Sequence, residues 1–69
     1  MERLQITTEF IQLNQLLKLV GWADNGAVAN EMIENELVLV NGETETRKRN
    51  KIYPGMVVSF DGEQVEVVK

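Results

Sequence analysis

An asparagine-glycine pair, Asn41-Gly42, set directly behind the apolar run Leu37-Val38-Leu39-Val40, constrains this chain more than any other feature. Both residue types accept positive φ readily, which a two-residue β-hairpin turn demands at its central positions. The apolar run is too short for a helix and reads as a strand. The polar stretch Glu43-Thr44-Glu45-Thr46 then becomes the return strand, its threonines suited to extended backbone and its acids expected to face outward. Upstream, Val28, Ala29, Met32 and Ile33 fall at i, i+1, i+4 and i+5, which gathers them on one helical face, with Asn30, Glu31, Glu34 and Asn35 on the other. Asp24 and Asn25 can accept hydrogen bonds from the free N–H groups of that helix's first turn, and Gly26 lets the chain bend into it. A helix therefore hands over directly to a hairpin.

The flanking segments extend this plan. Leu13, Leu16, Leu17 and Val20 recur at i, i+3, i+4 and i+7, a helical stripe that places a first helix at about Leu13 to Leu19, ended by Gly21. The link from Gly21 to Asn25 is short enough to force the two helices together. Trp22 lies in that link, where a lone tryptophan is expected to cap the small core; stacking on a base is the sharper alternative. Leu4 and Ile6 alternate with Gln5 and Thr7 as in a short edge strand, and Thr7, Thr8 and Glu9 carry start signals for the element that follows. Past the hairpin, Pro54-Gly55 reads as a turn and Asp61-Gly62 as a second hairpin. Val58, Phe60, Val65 and Val67 alternate inward, with Gln64 and Glu66 outward. The expected architecture is one α+β domain over residues 1–69, two short packed helices followed by a small twisted antiparallel sheet of four or five strands.

Composition closes several routes to function. The 69 residues include no cysteine and no histidine, so disulfides are impossible and the usual zinc ligand sets cannot be assembled. General acid–base catalysis most often uses histidine, no nucleophile stands beside a base, and neither GxxxxGK[ST] nor GxGxxG occurs. The eleven acids, scattered on polar faces, read as solubilising charge. A non-enzyme without cofactor, metal or small-molecule substrate is expected. A sulfur-carrier role is disfavoured, since the terminal Val67-Val68-Lys69 offers no Gly-Gly to activate. With no long apolar run and no signal-peptide layout at Met1-Glu2-Arg3, a cytoplasmic monomer is expected.

The net charge of −4 argues against nucleic acid, but its distribution does not. Residues 1–46 hold two basic and eight acidic side chains, whereas Arg47, Lys48, Arg49 and Lys51 place four cations within five residues and no acid among them. Such a cluster repels itself and adds nothing to a core, and phosphates would relieve the repulsion. The plainer reading is a solvated loop whose cations balance Glu43 and Glu45 across the hairpin. The second helix start, at Asn25, Gly26 and Ala27, offers free N–H groups and the positive end of a helix dipole to an anion, although Asp24 opposes this.

In order and spacing these pieces resemble the S4 domain, the RNA-binding module named after the fourth protein of the small ribosomal subunit, also known as the alpha-L motif. The likeness runs from about Phe10 to Val68. It is carried by LNQLLKLVGWADNGAVAN at Leu13 to Asn30, VLVNG at Val38 to Gly42, RKRNK at Arg47 to Lys51 and YPGMVVSF at Tyr53 to Phe60, and it is closest to the small stand-alone bacterial members, the YbcJ-like proteins. The resemblance implies RNA lying across the two-helix face and adjoining hairpin, read by shape and phosphates. Carried over by position, it implies contacts from Lys18, Asn25, Gly26, Arg47, Lys48, Arg49 and Lys51. Gln12, Gly26 and Asn30 stand where basic residues are common in that family, which shifts the expected binding toward the loop. The resulting expectation is a non-catalytic, ribosome-associated module for structured RNA, ribosomal RNA in particular; the alternative is a protein–protein adaptor that binds no nucleic acid.

Overall fold

Leu13, Leu16 and Leu17 are fully buried in a computed structural model that describes all 69 residues, and they form the inner stripe of helix α1, Leu13–Leu19. Val20, the last member of the stripe, closes the helix as its C-cap, and Gly21 follows with φ of 83°. Helix α2, Gly26–Glu34, buries Ala29, Met32 and Ile33 against α1, with Val28 half-buried at the margin. Asn25 caps it, its side-chain oxygen accepting the Val28 N–H at 2.9 Å. Of the two acceptors expected there, the asparagine takes the cap and Asp24 stays exposed.

Seven strands complete the chain: β1 Glu2–Gln5, β2 Ile11–Gln12, β3 Val38–Val40, β4 Glu43–Thr44, β5 Lys51–Ile52, β6 Val57–Phe60 and β7 Glu63–Val68. Five form one sheet in the order β1-β7-β6-β3-β4, and β2 and β5 form a separate two-stranded ladder. The hairpins at Asn41-Gly42 and Asp61-Gly62 form as the turn chemistry requires, with φ of 52° and 85° at the first and 51° and 80° at the second. Asn41 also accepts the Val57 N–H through its side chain at 2.9 Å, which locks the first turn to β6.

The sheet departs from a purely antiparallel one at its edge, where β1 runs parallel to β7 with Glu2 opposite Val65 and Gln5 opposite Val68. This pairing joins the two ends of the chain, and local alternation carries no information about so distant a partner. The return strand is shorter than its threonines suggest, with only Glu43 and Thr44 in the ladder before the chain leaves the sheet. Between Ile6 and α1, Thr8 donates its hydroxyl to the Phe10 carbonyl at 2.9 Å, and the next element is the two-residue strand β2.

Thirteen buried residues, all apolar, make the core between the helix pair and one face of the sheet. Val58, Val65 and Val67 contribute from the sheet as their alternation requires, and Trp22 lies half-buried against this core beside Phe60, as a capping ring. No helix is long and apolar enough to cross a membrane. Removal of a single methyl from a fully enclosed position should be felt in a domain this small: Ile33→Val is expected to cost about 0.5–1.5 kcal/mol, read as a lower urea midpoint at an unchanged slope.

Candidate nucleic-acid interface

The basic segment is docked onto the helices by its backbone. Gln12, at the N-cap of α1, makes no side-chain capping bond, so the first N–H groups of that helix need other acceptors. The segment supplies them: Leu13 donates to the Asn50 carbonyl at 2.9 Å and Asn14 to the Lys48 carbonyl at 3.1 Å. Immediately beyond, Lys51 and Ile52 pair with Gln12 and Ile11, and Ile52 is fully buried. The cations thus ride on a stretch of chain fastened at both the helix start and the core.

Its curvature is set by Glu45, one of the return-strand acids expected to face outward. The structure corrects this. The Glu45 side chain is only 12% exposed. Its carboxylate accepts from the Arg47 backbone N–H at 2.9 Å, from Arg47 Nε at 2.9 Å, from Arg47 Nη2 at 3.1 Å and from Asn50 Nδ2 at 3.1 Å. Four donors on one carboxylate wrap the chain around it. The bond to the Arg47 side chain, chiefly, holds the Glu45 carboxyl below its usual 4.5, against an opposing effect of burial, and the same contact raises the Arg47 guanidinium.

The four clustered cations therefore differ. Arg47 is matched by Glu45, and Lys48 reaches Glu34 at the end of α2, Nζ to Oε2 at 3.0 Å. Glu45 thus balances Arg47 from two residues away and not across the hairpin, while Glu43 forms no ion pair. Arg49 and Lys51 have no carboxylate within ion-pair distance. Both are exposed, and together with Arg47, Asn50, Tyr53 and Met56 they line an open concavity of about 620 Å³. Asn50, Tyr53 and Met56 were not singled out by sequence. The signal available was the alternation of Lys51, Ile52 and Tyr53, which puts the lysine and the tyrosine on one side of a strand whose other side is buried.

Lys18 is exposed on α1, one helical turn or about 6 Å beyond Asn14, and makes no ion pair. Asn14 itself ties the two helices, donating from Nδ2 to Asn30 Oδ1 at 3.2 Å. Asn25 and Gly26 stand at the opposite end of α2 from Glu34, about 12 Å along the axis, so the α2 start and the basic loop do not meet at one point. A Cβ built on Gly26 would meet nothing within 4 Å, and the space over this helix start is open. No three His, Cys, Asp or Glu side chains converge as a metal ion would require.

A helix pair, a docked basic segment and a hairpin sheet in this order define a class of protein, and comparison with known families agrees: residues 4–68 match the S4 domain, and the chain belongs to that family. Among particular relatives, YbcJ of Escherichia coli (strain K12) is 50% identical over 58 residues, covering 84% of this chain and 83% of that one. The Bacillus subtilis (strain 168) protein named "Probable ribosome maturation protein RlbA" is 39% identical over 59 residues, covering 86% and 83%. The solution structure of Escherichia coli YbcJ, described as revealing an alfaL motif involved in RNA-binding, superposes with a TM-score of 0.76 at 43% identity over all of this chain and 89% of that one.

Glu45 gives the site a pH dependence. Its folded-state pKa lies below the unfolded one, so its contribution is complete above the unfolded value and disappears as pH falls through the lower, folded value. Acid titration by NMR should show the Glu45 carboxyl protonating below 4.5, with the Arg47 and Asn50 amides shifting together at that point. Glu45→Gln should abolish this step and broaden the same amides at neutral pH.

Proposed function

We propose that this chain is a non-catalytic RNA-binding module that grips structured RNA, ribosomal RNA in particular, by its phosphates, acting in the cytoplasm as a monomer without a cofactor. The observation that carries the reading is the fastened basic segment, in which Arg49 and Lys51 stay free of carboxylates on an otherwise acidic body. Cations held on a docked backbone lose little freedom on meeting an anion, and folded RNA presents closely spaced phosphates without needing base readout. Membership in the S4 domain family, the RNA-binding motif described for YbcJ and the ribosome maturation role in the name of the Bacillus subtilis relative all support it.

Within this reading the contacts have unequal parts. Arg49 and Lys51 take phosphates directly, and Lys18 extends the positive track along α1. Arg47 contributes the guanidinium N–H groups that Glu45 leaves free, and Lys48 exchanges Glu34 for phosphate or keeps it. The Asn25 and Gly26 backbone offers a more distant contact at the α2 start.

Binding to ribosomal RNA fragments should fall with salt at a log–log slope on the order of −2 to −3, as three or four phosphate contacts require. Arg49→Gln with Lys51→Gln should flatten the slope by about 1 per cation removed. RNA affinity left intact when all four of Arg47, Lys48, Arg49 and Lys51 are neutralised would overturn the proposal. So would purification of the chain with a protein partner and no RNA.

A further inference from the structure

The four aromatic rings of the chain form two pairs with opposite surroundings. Trp22 and Phe60, with centroids 5.8 Å apart, are both half-buried against the core. Phe10 and Tyr53, with centroids 5.7 Å apart and planes tilted by 47°, lie outside it. The register of the β2–β5 ladder explains their meeting. Ile11 faces Ile52 and Gln12 faces Lys51, so the next antiparallel pair outward is Phe10 with Tyr53. Alternation sends Ile52 inward and leaves Lys51 and Tyr53 on the same outer side. Lys51 Nζ then sits 4.9 Å from the centroid of the Phe10 ring, a cation–π contact.

Tyr53 is 37% exposed, and it lines the same concavity as Arg49 and Lys51. Its backbone is held by a tight turn, with the Met56 N–H donating to the Tyr53 carbonyl at 3.1 Å and the Tyr53 N–H directed at Met56 Sδ at 3.4 Å. Tyr53 therefore packs beside Phe10, its backbone is held by the turn, and it lines the same concavity as two cations that lack anionic partners.

We infer that Tyr53 is a stacking platform for one unpaired nucleobase, whose phosphate is held by Arg49 and Lys51. The inference rests on the RNA-binding reading above and narrows its ligand. Every base has a π-face, so an aromatic ring accepts any of the four, and the adjacent cations supply the charge that the same nucleotide needs. A base inside a duplex is already stacked on both faces and cannot lie on a side chain without leaving the helix. The RNA that fits is one in which a looped-out nucleotide adjoins a phosphate-dense helix, with the base on Tyr53 and the helical backbone along Lys18 and the loop.

The test uses two RNA hairpins with the same stem, one carrying a single looped-out adenosine and the other fully paired, each titrated with the intact chain. Tyr53→Leu keeps the apolar bulk and is expected to weaken binding of the looped-out hairpin about 10-fold, with less than about twofold change for the paired one. Tyr53→Trp should restore the difference. A fluorescent adenine analogue at the looped-out position should be quenched when the unsubstituted chain binds, a readout that needs no variant. Equal losses on both hairpins, no loss on either, or unquenched emission overturns the platform. Arg49→Gln with Lys51→Gln separates the two claims: loss of both hairpins keeps the RNA reading whatever Tyr53 does, and unchanged binding of both removes that reading itself.

Discussion

Two hydrogen bonds at the start of α1 hold the basic segment to the helix pair. Leu13 and Asn14 bring N–H groups that a helix cannot satisfy internally, and the carbonyls of Asn50 and Lys48 answer them. A serine or aspartate at the N-cap would have met the Asn14 N–H locally. Gln12 does not, and the consequence is that the helix start and the basic segment depend on each other. The pair of half-buried Ile11 and fully buried Ile52 extends the same seam into the core, and the Lys48–Glu34 contact carries it across to α2.

Charge is arranged around that seam. A cluster of like charges raises its own energy, and the protein offsets the rise selectively. Glu45 folds under the segment and neutralises Arg47, and Glu34 meets Lys48 from the neighbouring helix. Compensation stops at Arg49 and Lys51, which line the concavity that Tyr53 also lines. The net charge of −4 describes the whole body and misses this local balance.

The fold was largely legible because its signals are local. The leucine stripe and Gly21 delimit α1, Asn25 opens α2, and two residue pairs able to take positive φ close the hairpins. What escaped were features made by distant partners. The parallel pairing of β1 with β7 joins residues at opposite ends of the chain, and β2 with β5 consists of two short pieces without alternation of their own. For the candidate site, the cations stand out as composition, but their inequality does not. An acid two residues before an arginine reads as an exposed strand residue, and only the turn that buries its carboxylate places Glu45 inward. Tyr53 gives no local signal for a different reason, since its partner Phe10 is remote in sequence.

The parallel strand β1 has a bearing on how the domain could be handled or joined to others. β7 carries the buried Val65 and Val67, and without β1 its outer row of backbone donors and acceptors would face water as a template for another chain. β1 covers that row and substitutes an edge bearing Glu2, Arg3 and Gln5, whose charged and polar side chains discourage further strand addition. The first five residues thus act as a selvedge on the sheet, and a cut that removed them would leave the β7 edge open to pairing with another chain.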